Sequence, residues 1–306
     1  MSLKIVFMGT PQFSVPTLEA LIKNKLNTLF VYTQPPKKSK RGQKINPSPV
    51  EEFCTKNKVN FTNPINLNSD EELKVFKKIS PDIVIVVAYG QIISKSFLKI
   101  PKLGFINIHA SLLPKWRGAA PIQRAIMNGD KKIGVSIMKI KEKLDSGPIL
   151  ASRELQLEQG KTHGETENNL SKVGADLLIK SLNIIKNGNA EFIEQAHSKA
   201  SYAKKIKKNE TKINWNLDAS KVLSHIHSLS PNPGAWFEFK KERVKILKAK
   251  ITSVNGKTGS VLDENLSIAC KSNSIQILEL QRSRKNKQTA KEFLLGNKIK
   301  KNSILL

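Results

Sequence analysis

The ten residues PDIVIVVAYG, positions 81–90, are apolar almost without interruption. Successive side chains of a strand point to opposite faces, so a strand on the surface of a sheet alternates polar with apolar. One that is apolar on both faces belongs at the centre of a sheet covered by helices on each side. LKIVFMG at 3–9 is a second buried run, VPTLEALIKN at 15–24 a helical pattern beginning near Pro16, and LFVYT at 29–33 the next strand. Two helix starts follow. In SPVEEFCTKN (48–57) Ser48 can cap and Pro49 takes the first helical position. In SDEELKVFKKI (69–79) Ser69 or Asp70 can cap, with acids in the first turn where the helix dipole favours them. Strands alternating with helices predict a doubly wound, mostly parallel α/β sheet.

In such sheets the ligand sits outside the carboxyl ends of the strands. GFINIHA (104–110) places Asn107 and His109 at one such end, two residues apart and therefore on the same side. The strand IGVSIMKI (133–140) comes next, and after it Asp145 lies in a Leu-Asp-Ser-Gly turn before Gly147-Pro148. A carboxylate, an imidazole and an amide on adjacent strand ends can make one site. The carboxylate fixes the ring, and the amide and imidazolium bind an oxyanion. The plainer alternatives are a structural histidine and a turn-forming aspartate bonded to its own backbone. GTPQF after the first strand lacks the second and third glycines of a dinucleotide fingerprint, there is no Walker loop, and no two histidines stand four apart on a helix as zinc ligands do.

Thr162-x-x-Glu165 has the spacing of a capping box for a long helix to about Lys186, with Leu170, Val173, Leu177, Leu178 and Ile185 mostly on one face and Asn187-Gly188 at its end. Beyond it Lys199, Lys204, Lys205, Lys207 and Lys208 fall in a stretch without apolar period, which reads as a linker. A short helix, DASKVLSHIHSL (218–229), precedes AWFEFKKERVKILKAKIT (235–252), a hairpin turning at Lys240-Lys241-Glu242, and further strands such as SIQILELQ (274–281). That pattern predicts a small, mostly antiparallel β-barrel. The division expected is 1–188, a basic linker at 189–205, and 206–306.

Charge narrows the partners. Lys and Arg number 52 against 25 Asp and Glu, a formal net charge of +27 over 306 residues. Such an excess attracts polyanions, nucleic acid first among them, although a chain rich in Lys, Ile and Asn can also reflect compositional bias. In the tail Arg282, Arg284, Lys285, Lys287, Lys291, Lys298, Lys300 and Lys301 stand with Glu292. No apolar run approaches the ~18 residues of a membrane span, and MSLKIVFMGT lacks the pattern of a signal peptide. Cys54 and Cys270 lie far apart with no metal-ligand spacing, as expected of a reducing cytoplasm.

INIHASLLPKWRGAAPIQRAI followed by LDSGPIL resembles the folate-dependent formyltransferases, in particular those acting on methionyl-tRNA. The likeness runs nearly end to end, through MGTPQFSVPTLEAL, YTQPPKKSKRGQKINPSPV, IVVAYGQII, SYAKKIKKNETKINW and SPNPGAWFEF. It implies a Rossmann-like domain at 1–188 that binds 10-formyltetrahydrofolate and an OB-like β-barrel at 206–306 that helps hold tRNA. It also implies a monomer that moves the formyl group to the α-amine of initiator methionyl-tRNA, with folate as cosubstrate and no metal. By the same resemblance Asn107, His109 and Asp145 match the catalytic trio, and Ser111, Leu112, Leu113 and Pro114 the folate-binding segment. Val87, Ala88, Tyr89, Gly90 and Gln91 line the folate pocket, and Arg41, in a basic loop with Lys38, Lys40 and Lys44, matches an arginine that enters the tRNA acceptor stem. Pro35-Pro36-Lys37-Lys38 departs from the family's commoner acidic–basic wording. The rivals are a formyltransferase acting on an amino sugar nucleotide, one acting on glycinamide ribonucleotide, which lacks a basic second domain, and a non-catalytic RNA-binding protein.

Overall fold

The computed structural model describes residues 3–39 and 44–305. It divides into two compact units: Met1–Gly118 with Gly134–Leu155 and Asn168–Tyr202, and Ala119–Ile133 with Gln156–Glu167 and Ala203–Leu306.

Seven strands build the sheet of the first unit: β1 (Ile5–Gly9), β2 (Thr28–Tyr32), β3 (Phe61–Thr62), β4 (Ile83–Val87), β5 (Phe105–His109), β6 (Lys132–Lys139) and β7 (Ile149–Gln156). Their order is β7-β6-β5-β4-β1-β2-β3. All five residues of β1 and of β4 are buried, as two-sided apolar runs demand. The pairs β1–β2, β1–β4, β2–β3 and β4–β5 are parallel. β5 and β6 are antiparallel, with Ile106 opposite Lys139 and His109 opposite Ser136. β6 therefore ends beside the start of β5, and the chain has to turn back to bring Asp145 to His109.

The helix starts follow from their caps. Ser48 Oγ accepts from Glu51 N at 3.0 Å and Ser69 Oγ from Glu72 N at 3.3 Å, each satisfying a donor that the first turn leaves free. Thr162 and Glu165 form the reciprocal box, Thr162 N to Glu165 Oε2 at 2.8 Å and Glu165 N to Thr162 Oγ1 at 3.3 Å, and the helix runs His163–Lys186. Its buried face takes Leu170, Leu178 and Ile185 but leaves Val173 and Leu177 half-exposed; Ser171, Gly174, Ala175 and Ser181 are buried instead. Small residues sit there because the helix lies close on β5. A Cβ added at Gly174 would meet Ile108 Cγ2 at 2.9 Å.

Residues 189–205, which read as a linker, are tied to the first unit at several points. Ile149 and Ile193 exchange backbone hydrogen bonds of 2.8 and 2.9 Å, Ser201 N donates to Pro114 O at 3.3 Å, and Arg117 N to Ser201 O at 2.9 Å. Basic composition concealed these pairings, which use the main chain.

In the second unit an antiparallel sheet runs β8 (Ala235–Phe239), β9 (Glu242–Thr252), β11 (Ser274–Arg282), β10 (Ser267–Ala269), with β12 (Lys287–Thr289) paired to β11. The β8–β9 hairpin turns at Lys240 and Lys241, both at positive φ (49° and 61°), the backbone twist that two-residue hairpins require. Its core gathers Trp215, Val222, Ile226, Phe237, Ile246, Ile268, Leu280 and Phe293. Among the described residues no helix is long and apolar enough to cross a membrane.

Candidate active site

Alternation along β5 sends Ile106 and Ile108 to one side and Asn107 and His109 to the other. Asn107 is half-buried, and its amide makes no hydrogen bond to another described residue. It is a donor held on a strand, with no partner among the described residues.

His109 is differently placed. Its ring is 6% exposed; Nε2 donates to the Trp116 carbonyl oxygen at 2.9 Å, and Nδ1 stands 3.7 Å from Asp145 Oδ2. Both ring nitrogens face oxygen atoms, which fixes the orientation of the ring. Asp145 Oδ2 also accepts from Gly118 N at 2.8 Å, so one main-chain N–H and the ring hold the carboxylate together. Asp145 lies in the left-handed region at φ 46°, a conformation that costs a residue with a Cβ about 1–2 kcal/mol. Gly147 in the same turn has no room for a side chain, since its Cβ would fall 1.9 Å from Lys139 O.

The turn is gripped from behind by residues the sequence reading did not single out. Gln195, 6% exposed, donates from Nε2 to Asp145 O (2.9 Å) and Gly147 O (2.7 Å). Its Oε1 accepts from Arg117 Nε (3.1 Å) and Nη2 (2.7 Å), and Arg117 Nη2 also donates to His197 Nδ1 at 2.9 Å. Arg117 lies in the INIHASLLPKWRGAAPIQRAI motif, where sequence alone assigns it no role, and Gln195 lies in the basic stretch 189–205. A cavity of about 460 Å³ opens beside this turn, with Lys141, Lys143, Ser146 and His197 in its wall.

Ser111 is buried and its hydroxyl donates to Lys115 O at 2.6 Å, while Ser136 Oγ donates to Ser111 O at 2.8 Å and accepts from Leu113 N at 3.1 Å. Leu112 is half-buried, Leu113 buried, and Pro114 half-buried after a cis peptide bond. The polar groups of Ser111–Pro114 thus shape a turn.

Val87 and Tyr89 bury their side chains and are fixed by their carbonyls, Val87 O accepting from Ser14 Oγ at 2.6 Å and Tyr89 O from Thr10 Oγ1 at 2.7 Å. Ala88 and Gly90, both at positive φ, present the exposed surface of that segment. Gln91 ties it to its neighbour, accepting from Leu67 N at 2.8 Å and donating to Pro64 O at 2.9 Å. Burial raises the Tyr89 phenol above its ordinary range, and the Glu72 carboxylate adds to the shift.

Arg41 and Lys40 lie outside the described residues. Lys38 and Lys44 belong to the paired strands Lys37–Ser39 and Lys44–Asn46, so the basic loop has an antiparallel base. Lys199, Lys204, Lys205, Lys207 and Lys208 are all exposed. In the tail the isolation of the cations is not complete. Arg282 is ion-paired with Glu242 at 2.7 Å, and Lys287 lies 3.4 Å from Glu279.

With this geometry in hand, the comparisons agree on one family. A family model described as "Formyl transferase" matches residues 3–182, and one described as "Formyl transferase, C-terminal domain" matches residues 205–298. The methionyl-tRNA formyltransferase of Pelagibacter ubique is 47% identical over 305 residues, 99% of this chain and 98% of its own. Among solved structures, the methionyl-tRNA formyltransferase of Clostridium thermocellum superposes with TM-score 0.57 at 17% identity, over 90% of this chain and 99% of that one. HypX of Aquifex aeolicus, in complex with tetrahydrofolic acid, gives TM-score 0.67 at 15% identity over 99% of this chain, which spans about half of HypX (51%). At such identities the two structures speak for the fold. The sequence relative and the two matched domains establish that the chain belongs to the formyl transferase family, in its methionyl-tRNA formyltransferase branch.

Proposed function

We propose that the chain transfers the formyl group of 10-formyltetrahydrofolate to the α-amino group of methionine esterified to initiator tRNA. The observation that carries this reading is the unpartnered Asn107 amide on the same strand as a His109 whose Nδ1 is 3.7 Å from Asp145 Oδ2, in a chain 47% identical to a methionyl-tRNA formyltransferase.

The neutral amine attacks the formyl carbon; a C–N bond forms there, and negative charge gathers on the formyl oxygen. Asn107, with its donor free, hydrogen-bonds that oxygen, and His109, committed to Trp116 O and Asp145, adds positive charge beside it. Collapse breaks the bond from carbon to the folate nitrogen. The proton leaving the attacking amine is carried to the departing nitrogen, with Asp145 as the base that handles it, directly or through a water. The segments Ser111–Pro114 and Val87–Gln91 bind the folate. Val87 and Tyr89 turn their side chains inward, so that contact falls to the exposed Ala88, Gly90 and main chain.

Residues 1–188 form the catalytic domain. Residues 206–306, an OB-like barrel, hold the tRNA together with the lysines of 189–208 and with Lys38, Lys40, Arg41 and Lys44. Arg41 wedges into a weakly paired acceptor end. The protein works as a cytoplasmic monomer. The deciding experiment gives the purified chain 10-formyltetrahydrofolate with initiator Met-tRNA in one arm and an amino sugar nucleotide in the other. Formylation of the tRNA alone is expected, and formylation of the sugar alone overturns the reading.

A further inference from the structure

We infer that Gln195 is a positioning residue for Asp145, clamped in its working orientation by Arg117. This rests on the assignment of proton handling to Asp145. The Gln195 amide is 6% exposed and uses both of its ends. Nε2 spans the catalytic turn, donating to the carbonyls on either side of Ser146 (Asp145 O, 2.9 Å; Gly147 O, 2.7 Å). A side-chain amide can be turned about to present oxygen in place of nitrogen, and here oxygen would face two carbonyl oxygens. Arg117 prevents the reversal. Its Nε and Nη2, at 3.1 and 2.7 Å, both require an acceptor at the other end of the amide. The arginine is itself 3% exposed, and its guanidinium donates to the amide oxygen and to His197 Nδ1 at 2.9 Å rather than to a carboxylate. A buried cation aimed at a neutral amide is a costly arrangement for stability alone; what it fixes is the direction in which Gln195 donates.

The turn needs such a grip. Asp145 holds a positive φ of 46°, its carboxylate is steered by one main-chain donor, Gly118 N, and it must return from the far end of β6 to meet His109. Released from Gln195, the turn can relax and carry the carboxylate away from the ring without disturbing the substrate segments.

Gln195→Glu is the discriminating variant. It keeps the size of the side chain and the acceptor for Arg117, but sets an oxygen against the carbonyls of Asp145 and Gly147. Displacement of a reacting group by about 1 Å costs up to ~100-fold, so kcat for Met-tRNA formylation is expected to fall at least about tenfold, with KM for each substrate changed by less than about twofold. In the Asp145→Asn background the same change is expected to have no further effect, because the two residues act as a unit. Arg117→Lys, which keeps the charge and loses the fork, is expected to lower kcat in the same direction. Unaltered kcat in Gln195→Glu, or an equal fold loss with and without Asp145, overturns the inference while formylation by the parent protein stands. If Gln195→Glu does not fold, Arg117→Lys decides by the same cycle. A parent protein that formylates no Met-tRNA, or an Asp145→Asn variant of full activity, removes the underlying reading and this inference with it.

Discussion

Asn107 and His109 share one side of one strand, yet their hydrogen-bonding states are opposite. The Asn107 amide has no partner among the described residues, whereas His109 Nε2 donates to Trp116 O at 2.9 Å and Nδ1 stands at ion-pair distance, 3.7 Å, from Asp145 Oδ2. The two are therefore expected to respond differently to substitution. Asn107→Ala removes a donor that bonds no described residue, so thermal stability is expected to hold while kcat falls about 10²–10³-fold, the usual cost of one oxyanion donor. His109→Ala breaks two contacts in a buried setting and is expected to lose stability along with turnover. Thermal melts beside steady-state formylation separate the cases. An Asn107→Ala protein with full kcat removes the amide from the mechanism.

Gly174→Ala tests whether the close approach of the long helix to β5 supports the site. In an exposed helix this change stabilises by about 1 kcal/mol. Here the new Cβ meets Ile108 Cγ2 at 2.9 Å, and Ile108 is flanked by Asn107 and His109. Overpacking of this kind costs about 1–3 kcal/mol, so a net loss of stability is expected, with a fall in kcat from the displaced strand. Urea unfolding and formylation assays on one preparation check both; a stabilised, fully active variant shows that the strand does not depend on that contact.

The elements most legible in the sequence were those set by local rules. Two-sided apolar runs became β1 and β4, Ser48, Ser69 and Thr162 capped the helices expected of them, and the Lys240-Lys241 turn joined the expected strands. What escaped depends on long-range geometry. The direction of β6 is decided by its pairing with β5, to which apolar patterning is blind. Gly174 and Ala175 belong to the buried face because of what lies opposite, and an apolar count passes over such small residues. Gln195 sits in a lysine-rich stretch and acts across 50 residues on Asp145. Local composition carries no trace of that contact.

Three histidines of the second unit give it an acid-sensitive window. Burial pushes His163 down to about 4, and burial lowers His225 and His227 as well, opposed for His225 by its bond to the Glu210 carbonyl. A histidine depressed in the folded state binds its proton more readily unfolded. Between the ordinary 6.5 and about 4 the unfolded chain therefore holds the extra proton, and stability falls as pH falls. For His163 the full swing is at most about 3 kcal/mol. Glu210 acts in a lower window. Arg124 holds its carboxyl down at about 2, so that pair keeps its contribution until the pH drops from 4.5 towards 2. Urea midpoints at pH 7, 5.5 and 4.5 are expected to decline, and His163→Gln to flatten the decline. A midpoint constant across that range contradicts the assignment.

The lysines following the long helix are expected to hold tRNA by charge alone, and salt separates that role from reading of bases. Each phosphate contact contributes about 0.7–0.9 to the slope of log affinity against log salt. Lys204, Lys205, Lys207 and Lys208 are exposed, so replacing all four by Gln is expected to lower the slope by up to about 3 and to weaken initiator and elongator tRNA alike. Arg282, already ion-paired with Glu242 at 2.7 Å, is expected to contribute little, and Arg282→Gln should leave the slope nearly unchanged. Arg41→Leu should behave in a third way, cutting the initiator formylation rate by more than its single charge explains. Filter binding at several salt concentrations, beside single-turnover formylation, measures all three. An unchanged slope in the fourfold variant places the tRNA on another surface, and an unchanged rate in Arg41→Leu removes that arginine from the acceptor stem.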